Sequence, residues 1–558
     1  MKLKCFSIGT LGLLAVSGLA WSCSNKAEDC DANLNCGPYG GGAPGTSGAS
    51  GLSGASGTGA ASGTSGTSGE GGTDPSSAGS GGAPPPPCDG SLSPDMDSCV
   101  ISDEYGIFVS PDGDDASADG TKAHPFAKLT SALGSESIAN KHVYVCAADY
   151  AEPGILEIPD RVSIYGGFSC DGGNWKYDSP FPAHLLPASA IGATITDAKV
   201  GVVLQDVRLD AADAPAGNPG GSSFGLIVND SQGVVLRRVE IRAGKATAGT
   251  DGVAGAVAAD GVASSTEQNG SAACSATPKI GVGSMQSTCA SKGGDGGPGY
   301  LSLDGDRGQP GIPAENLIAP GMHNGGAGAT ESGVNKAGTR GGDGLGGKPG
   351  VNGSAAATVG QFSGASYLAA SGGDGTDGYP GQGGGGGGAS KGNGTCAGAA
   401  GGAGGMGGCG GHGGRGGTGG GASIAVLSVN SMLTIDGSIL TAAAGGAGGN
   451  GGAASIGGQG VTGGSGGMSS GGSNVGKGGS GGDGGIGGNG GNGAGGSGGP
   501  SIALSWSGTK PAQLGTCHLN VGEGGKAGLG GRQGPDSTIW GPDGQPGAAE
   551  PIFPKDAP

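Results

Sequence analysis

The chain predicts an all-β protein of stacked parallel coils interrupted by long glycine-rich excursions. One observation is a ten-residue frame, VVLQDVRLDA at 202–211, that returns as VVLRRVEIRA at 234–243. Another is glycine at every third position over long runs, such as the unbroken GGX triplets that start at Gly401. The third is composition: with 142 glycines in 558 residues and 4% aromatics, little of the chain can build an ordinary core.

Within the frame, apolar residues alternate and then slip phase at a polar pair: Val202 and Leu204, the pair Gln205-Asp206, then Val207, Leu209 and Ala211. Period-two alternation gives a strand with one buried face, and the slip turns the chain so that both short strands face one core. The second copy has Val234, Leu236, Arg237-Arg238, Val239, Ile241 and Ala243. The third has Leu433, Ile435, Asp436-Gly437, Ser438, Leu440 and Ala442. The fourth has Ala512, Leu514, Gly515-Thr516, Cys517, Leu519 and Val521. Four copies predict the stacked coils of a parallel β-helix.

The elements follow in order. Residues 1–22 are expected to be a signal peptide: Lys2 and Lys4 precede an apolar run, Phe6 to Trp21, too short to span a bilayer. Ala20-Trp21-Ser22-Cys23 resembles a bacterial lipobox, which implies lipidation of Cys23 and a membrane partner through the lipid anchor, the alternative being ordinary signal-peptidase cleavage; Ser24 resembles the pattern sorted to the outer membrane, so an exported lipoprotein at the cell surface is expected. Residues 23–87 form a Gly/Ser/Pro tether that buries nothing able to repay its ordering entropy. Residues 88–244 hold an N-terminal cap and the first coils. His124-Pro125 opens a helix there with Phe126, Leu129 and Leu133 on one face, placed to cover the exposed coil end. Glycine-rich insertions at 245–421 and 445–499 flank a coil at 422–444, the last coil and its glycine-rich end run from 500 to 534, and 535–558 is a tail.

The runs YGIFVSPDGDD, DGTKAHPFAKLTSAL, HVYVCAADY and RVSIYGGFSC resemble the opening of right-handed parallel β-helix proteins of the pectin-lyase-like superfamily, and are similar to exported myxobacterial lipoproteins. The resemblance implies a small right-handed parallel β-helix with an N-terminal capping helix; it brings no catalytic residue. In the triplets, glycine recurs at 305–311, 338–353, 372–387, 478–493 and 522–534 as well as from 401. A three-residue period fits an extended threefold helix with glycine wherever neighbouring chains exclude a Cβ. Collagen is disfavoured by scarce proline; disorder and a polyglycine II-like sheaf remain, the latter resembling Gly-rich mycobacterial surface proteins.

With a net charge of −18 the chain is a poor nucleic-acid binder, since phosphates need clustered Lys and Arg. The coil register places Arg208, Glu240, Ile439 and His518 in one outward column and Asp210, Arg242, Thr441 and Asn520 in the next. Arg208 over Glu240 and Asp210 over Arg242 make a charge ladder rather than paired carboxylates, so no catalytic residue is assigned. Gly411-His412-Gly413 is one GGX triplet, and Asp374 and Asp377 in GGDGTDGYP are calcium candidates only if tandem copies complete them, so a structural turn is expected, with no metal and no cofactor. Export permits disulfides, and sequence proximity pairs Cys30 with Cys36, Cys88 with Cys99, Cys146 with Cys170, Cys274 with Cys289 and Cys396 with Cys409. Cys517 is left in an inward, buried position without a partner. The expected protein is a non-catalytic surface or matrix component, structural or adhesive, with extracellular polysaccharide or a surface protein as partner; the alternative is a polysaccharide lyase or glycoside hydrolase on the same coil.

Overall fold

The computed structural model describes residues 88–178, 182–262, 266–313, 324–533 and 539–554. The expected signal peptide, the lipidated Cys23, the tether and the Cys30–Cys36 pair lie outside them.

Nearly all regular structure is β, in three parallel sheets that the chain visits in rotation. The first sheet stacks Gly106–Val109, His142–Cys146, Ser163–Ser169, Val202–Gln205, Val234–Arg237, Leu433–Asp436 and Ala512–Leu514. The second stacks Asp149–Glu152, Ala183–Pro187, Val207–Asp210, Glu240–Arg242, Ile439–Thr441 and His518–Asn520. The third stacks Leu156–Glu157, Ile191–Thr196, Ser223–Asn229, Ser423–Val429, Ser501–Ser507 and Ala549–Pro554. Their inward residues, among them Val202, Leu204, Val207, Leu209 and Leu226, form one core. The frames stack as the alternation requires: Val202 on Val234 on Leu433, and Leu209 on Ile241 on Leu440. The slip in each frame is one left-handed residue between the first and second sheets, at Asp206 (φ 54°), Arg238 (φ 50°), Gly437 (φ 55°) and Gly515 (φ 60°).

The fourth frame departs from expectation. Its first strand is set back by one residue, so that Ala512 lies on Thr434, Gln513 on Ile435 and Leu514 on Asp436. Gln513 thus takes the inward column and Leu514 is 53% exposed. The corner holds one extra residue, which restores Leu519 to the Leu440 column. Among the described residues no strand stacks beyond Ala512–Leu514 in this sheet, and a polar side chain in an edge position discourages pairing with another chain.

The helix is also shorter than predicted, Leu129–Leu133 rather than from Pro125, and Phe126 instead bridges Val109. Residue Lys128 at its N-cap supplies no side-chain bond. Glu152, 1% exposed in the second sheet, does so instead: Leu129 N–H donates to Oε1 at 2.8 Å, Thr130 N–H to Oε2 at 3.1 Å, and the Thr130 hydroxyl also donates to Oε2. Two orphan donors of the first turn are thereby satisfied, and Leu129 and Ala132 are held in the core. Glu152→Ala is expected to cost about 2 kcal/mol, since it strands those donors in a buried place, and Glu152→Gln distinctly less. Urea unfolding of the two variants checks the difference.

The excursions leave after the second sheet and return into the third. Outside two short antiparallel pairs they carry no strand among the described residues, yet their backbones bond at every third residue. The outgoing ladder continues from the sheet without a break: Ala243 N–H donates to Thr441, Ala246 to Ala444, Gly249 to Ala447, Gly252 to Asn450 and Gly255 to Ala453. Segments 401–421 and 476–499 run parallel, with Gly402, Gly405, Gly408, Gly411 and Gly414 donating to Gly479, Gly482, Gly485, Gly488 and Gly491. Against 372–388 the direction is antiparallel, Gly381 donating to Gly408 and Gly384 to Gly405. Bonds repeating at i, i+3 and i+6 mean that residues three apart point the same way, as in a threefold extended helix. A hairpin that the sequence did not disclose, Gly360–Ser363 with Ser366–Ala369, folds from this region onto the outer face of the third sheet. Its Tyr367 and Phe362 pack on Phe224, Ile227, Ile424, Leu427 and Ile502, so Ser423–Val429 is buried on both faces.

Candidate functional site

The largest group of titratable side chains on an outer face belongs to the second sheet. Because Leu185, Leu209 and Ile241 point inward, His184, Arg208, Asp210, Glu240 and Arg242 point out. The register sets Arg208 on Glu240 and Asp210 on Arg242, at 3.7 and 3.9 Å between charged atoms. The tighter bonds run along each strand. Arg208 Nε and Nη2 donate to Asp210 Oδ1 and Oδ2 at 3.1 and 2.6 Å, and Arg242 Nε donates to Glu240 Oε1 at 2.8 Å.

Sequence reasoning missed the other end of this row. His184 pairs in register with Asp149 and Arg208, and its Nδ1 lies 2.8 Å from Asp149 Oδ1 while Nε2 lies 3.1 Å from Asp210 Oδ2. The strand Ala183–Pro187 lacks the VVL frame, which is why the residue was not placed; reading AHLLP as alternating would have found it. Burial pushes the Asp210 carboxyl up, but hydrogen bonds from Arg208 and His184 outweigh it and hold the group below its ordinary value. The row Asp149, His184, Asp210, Arg208, Glu240, Arg242 is a continuous chain of polar contacts, with ion pairs among Asp210, Arg208, Glu240 and Arg242. At this partial exposure each pair contributes about 0–1 kcal/mol.

A second cluster stands at the corner. Asp206 is 2% exposed and accepts from Arg238 Nε and Nη2 at 2.8 Å each, and from the Tyr177 hydroxyl. Arg238 also reaches Asp95 Oδ2 at 3.2 Å, tying the segment bearing the Cys88–Cys99 disulfide to the coil. Burial first, and the bond to Asp206 second, push the Tyr177 phenol up to about 12. This cluster fastens the N-terminal segment and has no free acid or base.

The calcium candidates hold neighbouring segments together instead. Asp374 Oδ1 accepts from Gly416 N–H at 2.8 Å and Oδ2 from Arg415 Nη1 at 2.6 Å. Asp377 Oδ1 accepts from Gly413 N–H at 2.7 Å, with His412 Nδ1 3.2 Å from Oδ2. Among the described residues no group of three or more His, Cys, Asp or Glu could hold a metal. The same staple recurs at nine-residue spacing: Asp251, Asp260 and Asn269 accept from the amides of Asn450, Gln459 and Ser465 at 2.6, 2.7 and 2.8 Å. Asp343 and Asn352 do likewise for Asp483 and Asn492 at 2.7 and 2.8 Å. Nine residues are three triplets, and that spacing was the signal available in the sequence.

The amide of Gly413 and then His412 hold the Asp377 carboxyl below its ordinary value, as the amide of Gly416 and then Arg415 do for Asp374. A depressed folded value means stability present above the unfolded carboxylate value and lost as pH falls below it. Melting temperature is therefore expected to hold from neutral pH down to about 4 and to fall below that. Asp377→Asn keeps an acceptor for Gly413 but loses the charge, so it should lower neutral-pH stability slightly and remove part of the acid dependence.

Among the described residues four disulfides form. Cys88–Cys99 and Cys146–Cys170 join sequence neighbours. The other four cysteines depart from the proximity pairing: Cys274 joins Cys396 and Cys289 joins Cys409. Proximity fails here because an extended segment carries its own neighbours away, while the adjacent segment brings a distant cysteine alongside. Cys517 is unpaired, as expected, but only partly buried; it packs against the core rim of the last coil, where nothing lies above it.

All-β chains of three parallel sheets turning about one core form the class to which these observations assign the protein. No family model and no curated protein matches the chain. Among solved structures, a rhamnogalacturonan lyase is similar at a TM-score of 0.17 and 11% identity, over 25% of this chain and 36% of that one. The match spans about a third of that enzyme and defines neither activity nor substrate.

Proposed function

We propose that the three-sheet coil is a right-handed parallel β-helix, that the glycine-rich excursions are a sheaf of polyglycine II helices, and that the protein is an exported, lipid-anchored, non-catalytic surface or matrix component with a structural or adhesive role. Handedness follows from the near-universal preference for right-handed parallel crossovers. The three-residue bonding period supports the sheaf. The pairing of Asp210 and Glu240 with Arg208 and Arg242 on the second sheet carries the non-catalytic reading. Glycoside cleavage needs one carboxyl held protonated and another free, whereas Asp210 and Glu240 are each engaged by an arginine.

Two measurements test the proposal. Purified protein incubated with pectins, alginates and neutral glycans is expected to yield no new reducing or unsaturated ends; turnover abolished by Glu240→Gln or Asp210→Asn would overturn the non-catalytic role. A Cys23→Ala variant is expected to move from the membrane fraction to the soluble fraction, and its retention in the membrane would remove the lipid anchor.

A further inference from the structure

The hairpin 360–369 covers the outer face of the third sheet over Phe224, Ile227 and the strands beyond, but not over Leu156–Glu157 and most of Ile191–Thr196. Two contiguous depressions of about 530 and 260 Å³ lie there and share Leu133 and Glu157. Ala193 and Ile195 are fully buried inward, so alternation turns Thr194 and Thr196 out, and the register sets Glu157 beside Thr194. Leu133 and Pro159 supply aliphatic surface beside them, while Ile158 between them is buried in the core.

This lining differs from the charged row on the second sheet. There every carboxylate is taken up by a neighbour; here the Glu157 carboxylate and the hydroxyls of Thr194 and Thr196 have no side-chain partner among the described residues. No cation lines either depression. The groove thus offers three hydrogen-bonding groups on a rim, with a carboxylate as strong acceptor, around an aliphatic floor. A pyranose chain presents the complement: hydroxyl donors at its edges and C–H groups on its faces. Glu157 and the chain's net charge of −18 repel polyanions.

We propose that this groove binds an uncharged polysaccharide, Glu157 accepting from sugar hydroxyls, Thr194 and Thr196 bonding the same ring edges, and Leu133 and Pro159 taking the C–H face. The proposal rests on the adhesive reading above and names its ligand class and its site.

Equilibrium binding of the full chain to dextran, a soluble β-glucan, a mannan and polygalacturonate tests it. At least one uncharged polymer is expected to bind and polygalacturonate not to. Glu157→Ala and the double variant Thr194→Val/Thr196→Val should each weaken binding tenfold or more, while Glu157→Gln, which retains an acceptor, loses less. All three positions are at least partly exposed, so melting temperatures should match the parent and separate a binding loss from misfolding. Failure of every uncharged polymer to bind, binding indifferent to these substitutions, or groove-dependent binding of polygalacturonate would overturn the assignment. Product release from a bound glycan would instead overturn the non-catalytic reading and leave the groove in place.

Discussion

Gly404→Val is expected to unfold the glycine-rich region, at a cost at or above the ~3 kcal/mol upper end usual for overpacking. A Cβ at Gly404 would stand 1.8 Å from the Gly384 carbonyl oxygen, and one at Gly405 1.9 Å from that of Val461. Both obstacles are backbone, which cannot rotate away as a side chain can. Relief would require parting two segments and breaking their shared hydrogen bonds. Gly472, with no heavy atom within 4 Å of its Cβ position, is the control: Gly472→Ala should be neutral. Limited proteolysis with thermal melting reads the contrast, and tolerance of Gly404→Val would refute the packed arrangement.

Loss of the two long-range disulfides has the second large effect. Cys274–Cys396 and Cys289–Cys409 close loops of 122 and 120 residues in sequence separation, against 11 and 24 for the other two. Constraint of the unfolded chain grows with loop length, to roughly 5 kcal/mol at this size. The two bridges join the same pair of regions, however, so once one is present the other closes only a short ring, worth roughly 3 kcal/mol. Removing either pair by Cys→Ser should therefore cost less than half of what removing both does. Guanidinium midpoints of the two single-bridge variants and the bridge-free variant measure this. Equal, additive losses would contradict shared closure, and a Cys274–Cys289 peptide in a non-reducing digest would contradict the connectivity itself.

What could be read from the sequence was whatever local periodicity encodes. The frames at 202–211, 234–243 and 433–442 fixed the register of two sheets, because a period of two leaves one choice of face. Glycine spacing carried more than period. Segment 401–421, with two glycines in each triplet, meets neighbours on two sides, whereas 249–261, with a single recurrent glycine, shows exposed Val253 and Val257. Glycines per triplet thus count the neighbours that forbid a Cβ. Hidden from such reading were features decided by which segments become adjacent: the exchanged cysteines, the hairpin over Phe224 and Ile424, and the Glu152 cap. His184 was missed for a different reason, since its strand alternates without repeating the frame. Slippage at Gln513 falls in an edge strand, where only one neighbouring strand enforces the pattern.

The unbroken ladder from Ala243 to Gly255 has a mechanical meaning. A pull on the far end of the glycine-rich arm, directed along its segments, meets cross-bonds that lie transverse to the load. They share it in parallel, as in shear, and do not open one after another, as in peeling. With no flexible joint where coil passes into arm, tension applied at a distant surface reaches the three-sheet body undiminished. Bonds loaded together in this way resist extension where a glycine-rich spacer without them would merely stretch.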